Sequence, residues 1–174
     1  VVAEANNVVY WMGVDKFFMY DGRVNTLPCT EKQYVFEDMN KDSGFLNFAG
    51  INSEFNEVIW FYCSGGSNSI DRYVIYNYEE KIWYFGNLTR TAWANAGTIK
   101  FPLATFNGYV YRHEDGKDNV AVPGATPTAI SSFIESGDMG IDDGDQFILT
   151  KRVIPDVNFT NSDTATAQGA ALTP

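Results

Sequence analysis

The fold is indicated first by the stretch Asn7–Met12, NVVYWM, which recurs in similar form as NEVIWF at Asn56–Phe61. Trp60 follows Trp11 by 49 residues. Each stretch precedes an aromatic strand pattern, a tight turn and another strand pattern, so the chain contains an internal repeat.

A third copy of the repeat is predicted to begin at Leu103–Phe106, in the position that Phe48–Ile51 holds in the second copy. It continues through Tyr109–Tyr111 and places Tyr111 51 residues after Trp60. The period is therefore about 50 residues.

The residues between these stretches are also typical of strands. Val, Ile, Tyr, Phe and Trp cluster in short runs bounded by turn residues, and apolar positions do not recur at helical spacing over three turns. Asp21-Gly22 and Asn107-Gly108 are predicted to form two-residue hairpin loops, because these residues accept the positive φ that such loops need. The sequence predicts an all-β fold.

A repeat of about 50 residues made of four antiparallel strands is typical of a β-propeller blade, since one such sheet must stack on its neighbours to bury both faces. Trp11, Trp60 and Tyr111 are predicted to fill the spaces between blades. Three copies do not close a ring, so we expect a fragment of a larger propeller. The alternative is an open β-sandwich in which the repeat is accidental.

The repeat also predicts how the chain is divided. Residues 1–117 are expected to form the blade repeats, 118–127 a linker marked by Pro and Gly, and 128–160 a β-hairpin that completes the third blade or joins a neighbouring sheet. The small polar residues 161–174 are expected to form a linker or loop. Since the chain opens directly on a strand pattern, we expect it to be an internal piece of a longer protein.

Composition narrows the function classes. The chain has 22 acidic and 12 basic residues, and a net charge of -10 argues against a nucleic-acid binder. No apolar run approaches the roughly 18 residues of a membrane helix, so we expect no membrane anchor. Cys29 and Cys63 are too few for a disulfide framework and lack zinc-site spacing, so they are predicted to be buried thiols.

An acidic loop offers a weak candidate cation site. It contains Asp138, Asp142, Asp143 and Asp145, and hard cations such as calcium bind carboxylate oxygens. The spacing departs from the calcium-loop signature, and a solvated turn between strands is the alternative. The same carboxylates are poor evidence for a glycosidase pair, because their separation is unknown.

Other side chains give no catalytic prediction. His113 is the only histidine, which excludes a multi-histidine metal site within this chain, and it is predicted to be an exposed residue at a strand end. We expect no cofactor and no enzymatic activity. Exposed aromatic side chains on a β-surface could stack on sugar rings, which leaves a carbohydrate-binding module as an alternative function.

Five stretches resemble a family of bacteriophage virion proteins, and the similarity spans roughly residues 9 to 159. The stretches are Met12–Val24, Asp71–Tyr78 with Trp83-Tyr84, Arg90–Trp93, Phe133–Asp138 and Arg152–Val157. The resemblance implies a structural, propeller-containing component of the phage tail or neck, similar to the nozzle or hub proteins of short-tailed phages.

That resemblance implies a homo-oligomeric ring in the virion, with other tail or neck proteins such as adaptor, portal or fibre as partners. DNA would then be a non-specific cargo, and a net charge of -10 is compatible with a conduit that does not retain it. A further hypothesis is that the acidic loop from Asp138 to Asp145 faces the channel or an adjoining subunit. The alternative for the same family is a carbohydrate-binding module for receptor recognition.

Overall fold

The computed structural model describes residues 1–116, 118–120, 122, 124–130, 149, 151 and 152. The chain divides into two units, Val1–Ser131 and Ser132–Pro174, and the elements below belong to the first. The fold is mostly β, in several small antiparallel sheets, as the sequence predicted at this coarse level.

The first two sheets have the same construction. Each contains four strands that pair antiparallel in chain order. The first sheet comprises β1 (Val2–Ala5), β2 (Val8–Met12), β3 (Phe17–Tyr20) and β4 (Val24–Leu27). The second comprises β5 (Phe48–Asn52), β6 (Glu57–Tyr62), β7 (Arg72–Asn77) and β8 (Ile82–Asn87).

The third sheet is smaller. It contains β9 (Ala92–Ala94), β10 (Leu103–Phe106) and β11 (Tyr109–Arg112), with β10 in the middle. A separate two-stranded pair joins β12 (Asp118–Asn119) to β13 (Thr128–Ala129).

The connection between the first two sheets is partly helical, which the sequence did not predict. It contains α1 (Lys32–Asp38) and a 3-10 helix (Gly44–Leu46). Only Val35 and Phe36 of α1 are buried. A helix of two turns with two adjacent buried residues carries too little periodicity to be recognised in a sequence.

The hairpin loops follow local chemistry. Asn7 and Asn56 both adopt positive φ immediately before β2 and β6, at the same point of the repeat. Asn107-Gly108 forms the predicted two-residue loop, with φ of 49° and 78°. The prediction for Asp21-Gly22 was wrong: Tyr20 pairs with Val24, so the loop has a third residue, and only the glycine has positive φ.

The main core lies between the first and second sheets. Side chains alternate across a strand, so one face of each sheet contributes to it. The first sheet contributes Tyr10, Met12 and Phe17, among others, and the second contributes Val58, Trp60 and Tyr62. Phe17 and Trp60 have ring centroids 4.9 Å apart, and both side chains are fully buried.

A second core lies between the opposite face of the second sheet and the third sheet. Ile59 and Phe61 point into it, and Trp93 of β9 packs against them. The Trp93 and Phe61 ring centroids are 5.8 Å apart. The first strands of the three sheets, β1, β5 and β9, lie against one another in that order.

Strand pairing corrects the register predicted for the third copy. Leu103–Phe106 was expected to correspond to Phe48–Ile51, the first strand of the second sheet. It is instead the middle strand, because β9 pairs on its other side. The short strand Ala92–Ala94 was not recognised as an element, since three residues contain too little alternation.

The described residues also bear on the predicted divisions of the chain. β12 lies within the range expected to be a linker, and its partner Thr128-Ala129 opens the range expected to be a hairpin. The rest of that hairpin and the polar tail at 161–174 lie outside the described residues, apart from Ile130, Leu149, Lys151 and Arg152.

Candidate functional site: the open face of the first sheet

The first sheet has one covered face and one face that is open to solvent. We call the second the outer face of the first sheet; its apolar residues are Val2, Val9, Trp11, Phe18, Tyr20 and Val24. The exposed fractions are 60% for Val2, 47% for Tyr20 and 65% for Val24. Because exposed apolar side chains that lie together on one sheet face are typical of contact surfaces, this face is the candidate functional site.

Cross-strand pairing arranges these side chains in rows. Val2, Trp11 and Phe18 lie side by side on β1, β2 and β3. The Trp11 and Phe18 rings stack with centroids 5.3 Å apart and planes at 14°. The two half-buried rings form a compact aromatic pair on this face.

The equivalent face of the second sheet is covered. Trp60 occupies the position of Trp11 in the repeat. Trp60 and Val58 lie on the same face of the second sheet, as Trp11 and Val9 lie on the same face of the first. Trp60 and Val58 are both 0% exposed, because the inner face of the first sheet packs on them. The same position is therefore buried in one copy and half-exposed in the other.

A polar cluster joins the second and third sheets. The Asn52 amide nitrogen lies 3.3 Å from a carboxylate oxygen of Glu57 and 3.3 Å from one of Glu114. The Tyr84 hydroxyl donates a hydrogen bond to Glu57. Asn52 is fully buried, and its side-chain oxygen has no hydrogen-bond partner among the described residues.

Burial dominates the electrostatics of this cluster. Desolvation raises the pKa of Glu57, and the negative charge of Glu114 raises it further, whereas the hydrogen bonds from Tyr84 and Asn52 lower it. A carboxyl with a raised pKa can act as a general acid, but a hydrolase would also need a substrate cleft beside it. Two cavities in the described part of the chain, of about 230 and 280 Å³, are lined by other residues.

His113 lies in a second polar cluster at the third sheet. It is half-buried, not exposed as predicted, because its ring packs 4.9 Å from Trp93. Its Nε2 accepts a hydrogen bond of 2.9 Å from Arg90 Nε. Burial and the positive charge of Arg90 lower the pKa of His113 to about 4, so the imidazole is neutral at pH 7.

The residues predicted for a cation site lie outside the described part of the chain. These are Asp138, Asp142, Asp143 and Asp145. Within the residues that the structure does describe, no group of three or more His, Cys, Asp or Glu side chains could hold a metal ion.

The three predicted blade aromatics occupy different environments. Trp60 is buried between the first two sheets, and Trp11 is half-exposed on the outer face. Tyr111 lies on the third strand of its sheet, whereas both tryptophans lie on second strands. Its ring receives the Arg90 guanidinium at 4.5 Å. Trp93 was not among the predicted blade aromatics, although it packs between the second and third sheets from a first strand.

Comparisons with known proteins add no assignment. No protein-family model matches the chain, and a search of curated proteins also finds no match. In the described residues, no helix is long and apolar enough to cross a bilayer.

Proposed function

We propose that the chain is a structural component of a bacteriophage tail or neck, in which its sheets are blades of a β-propeller and its copies form a ring that conducts DNA. Its partners would be other tail or neck proteins such as adaptor, portal or fibre, and its location would be the virion. The proposal includes no catalytic activity.

The stacking of the sheets is the observation that carries this proposal. Successive sheets meet face to face, and their first strands β1, β5 and β9 lie side by side. In a propeller, blades are arranged around an axis with the same strand of each blade innermost. The faces that meet are also arranged consistently. The inner face of the first sheet covers the face of the second that carries Trp60, and the opposite face of the second sheet covers the face of the third that carries Trp93 and Ala104.

The open face supports an assembling protein. A monomer gains nothing from leaving Val2, Tyr20 and Val24 in water, since burial of apolar surface is favourable. The net charge of -10 supports a conduit, because it weakens binding to phosphate. The resemblance to phage virion proteins supplies the biological setting.

The test is the mass of the full chain by light scattering, followed by electron microscopy of any large species. We expect a defined oligomer with an axial hole. Adding non-specific DNA should not reduce the number of these oligomers. A chain that stays monomeric across the accessible concentration range would contradict the proposal.

A carbohydrate-binding module of the tail is the second candidate. The observation in its favour is the stacked pair of Trp11 and Phe18 on the outer face of the first sheet, because aromatic side chains on a β-surface could stack on sugar rings. Titration with host-surface glycans should then change tryptophan fluorescence, and Trp11→Ala should abolish the change. A fluorescence signal that is unaffected by any glycan favours the assembly function.

A further inference from the structure

We infer that the outer face of the first sheet binds the outer face of the third sheet in a second copy of this chain, so that copies associate head to tail. The inference rests on the proposed ring assembly and identifies its contact surface. It follows from the way the three sheets of one chain already pack.

The packing of sheets within the chain follows one rule. Each sheet has a front face, which carries Trp11 in the first sheet and Trp60 in the second, and a back face. The back face of the first sheet covers the front face of the second. The back face of the second, with Phe61, covers the face of the third that carries Trp93.

Among the described sheets, this rule leaves one front face and one back face without a sheet packed on it. The open front is the outer face of the first sheet. The open back is the outer face of the third sheet, with Leu103, Thr105, Val110 and Arg112 opposite the buried Ala104. Val110 is 65% exposed, the same exposed fraction as Val24 on the open front face.

One chain therefore contains both an open front face and an open back face, which are the two kinds of face that pack on each other within the chain. A second copy can place its open back on the open front of the first and repeat a contact that the chain already makes twice. Such a contact joins two different surfaces, so it is heterologous, and it generates a closed ring when the rotation per copy allows closure.

The occupant is a second copy because the face is built for a sheet. Its side chains form cross-strand rows over four strands. Sheets that pack face to face lie about 10 Å apart with interdigitating side chains. The exposed aromatic and valine side chains suit that geometry.

A matched pair of substitutions tests the front face. Val24 lies on it, and Val14 lies in the loop after β2; they are 65% and 76% exposed. Val24→Glu should weaken self-association at least tenfold, while Val14→Glu should leave it within twofold. Sedimentation at high ionic strength measures the self-association constant of each variant, because salt screens the repulsion between negatively charged copies. Equal effects of the two substitutions would overturn the inference.

Cross-linking between copies tests the head-to-tail orientation. Tyr20→Cys places a thiol on the third strand of the front face, and Val110→Cys places one on the third strand of the back face. We expect a bismaleimide of about 10 Å to join the two single variants when they are mixed, given the spacing of packed sheets. Neither variant alone should form dimers, and the parent chain with Cys29 and Cys63 is the control.

The outcomes separate this inference from the proposed function. A ring that persists in Val24→Glu and yields no mixed cross-link would overturn the contact surface and leave the ring proposal standing. Cross-linked dimers of Tyr20→Cys alone would show that two front faces meet, and would also overturn the inference. A parent chain without any oligomer would overturn both.

Discussion

The indole of Trp93 lies directly on the backbone of Gly50. A Cβ placed on Gly50 would come within 2.7 Å of the Trp93 Cγ atom, and Trp93 Nε1 donates a hydrogen bond of 2.8 Å to the Ile51 carbonyl oxygen. The missing side chain thus lets the third sheet pack closely on the second. This contact depends on a glycine in a strand, where it normally weakens the strand.

Gly50→Ala should therefore destabilise the packing of the third sheet on the second. Overpacking of this kind costs about 1–3 kcal/mol in free energy of unfolding, because a tryptophan ring must move. Chemical denaturation monitored by tryptophan fluorescence measures the cost. Gly44→Ala is the control, since no atom lies within 4 Å of a Cβ there, and equal stability of the two variants would contradict the prediction.

Trp60 and Trp11 should respond differently to truncation although they hold the same place in the repeat. Trp60→Ala removes a fully buried side chain and should cost about 3–5 kcal/mol in free energy of unfolding. Trp11→Ala removes a half-buried ring and should cost less, because less apolar surface is lost; its stacking on Phe18 accounts for about 0.5–1.5 kcal/mol of that cost. Urea denaturation of the two variants under conditions that keep the chain monomeric checks the order, and a larger cost for Trp11 would contradict it.

His113 should titrate far below an ordinary histidine. Because its pKa is lowered to about 4 in the folded chain from 6.5, the folded state binds fewer protons between these values, and stability falls as pH drops through this range. His113 is the only histidine, so its NMR titration is unambiguous. A midpoint near 6.5 would show that the ring is not packed against Trp93 and Arg90.

Glu57 should give stability the opposite dependence on pH. Burial raises its pKa above 4.5, so the folded state holds the proton to higher pH than the unfolded state. Its contribution is present at low pH and decreases as pH rises through the raised pKa. Glu57→Gln keeps a neutral oxygen acceptor for the Tyr84 hydroxyl and should remove this decrease. Melting temperatures of the parent chain and of Glu57→Gln, measured from pH 4 upward, test this prediction. Melting temperatures that change with pH in parallel in the two proteins would contradict it.

The two thiols should be unreactive in the folded chain. Cys63 is fully buried, as predicted, whereas Cys29 is only partly buried. Burial nevertheless raises the pKa of Cys29 to about 12, and reaction with Ellman's reagent needs an accessible thiolate. We expect slow labelling of both in native buffer and labelling of both thiols in denaturant. Rapid native labelling of Cys29 would mean that its contact with the core of the first two sheets opens readily.

Much of the local structure could be predicted from the sequence. Short runs of Val, Ile, Tyr, Phe and Trp bounded by turn residues, together with the repeat, placed the strands of the first two sheets, because side-chain alternation is a local property. The repeat placed Trp11 and Trp60 in equivalent positions. The third copy was shifted by one strand, since β9 is too short to recognise without its partner β10.

The environments of equivalent residues could not be predicted in this way. The sequence by itself determined that Trp11 and Trp60 each point to one defined face of a four-stranded sheet, because the strand period is two. Only the tertiary structure decided that Trp60 is buried and Trp11 is half-exposed, and that Asn52 draws Glu57 and Glu114 together. The physical reason is that burial depends on which sheet packs on a face, and that contact joins residues far apart in the chain.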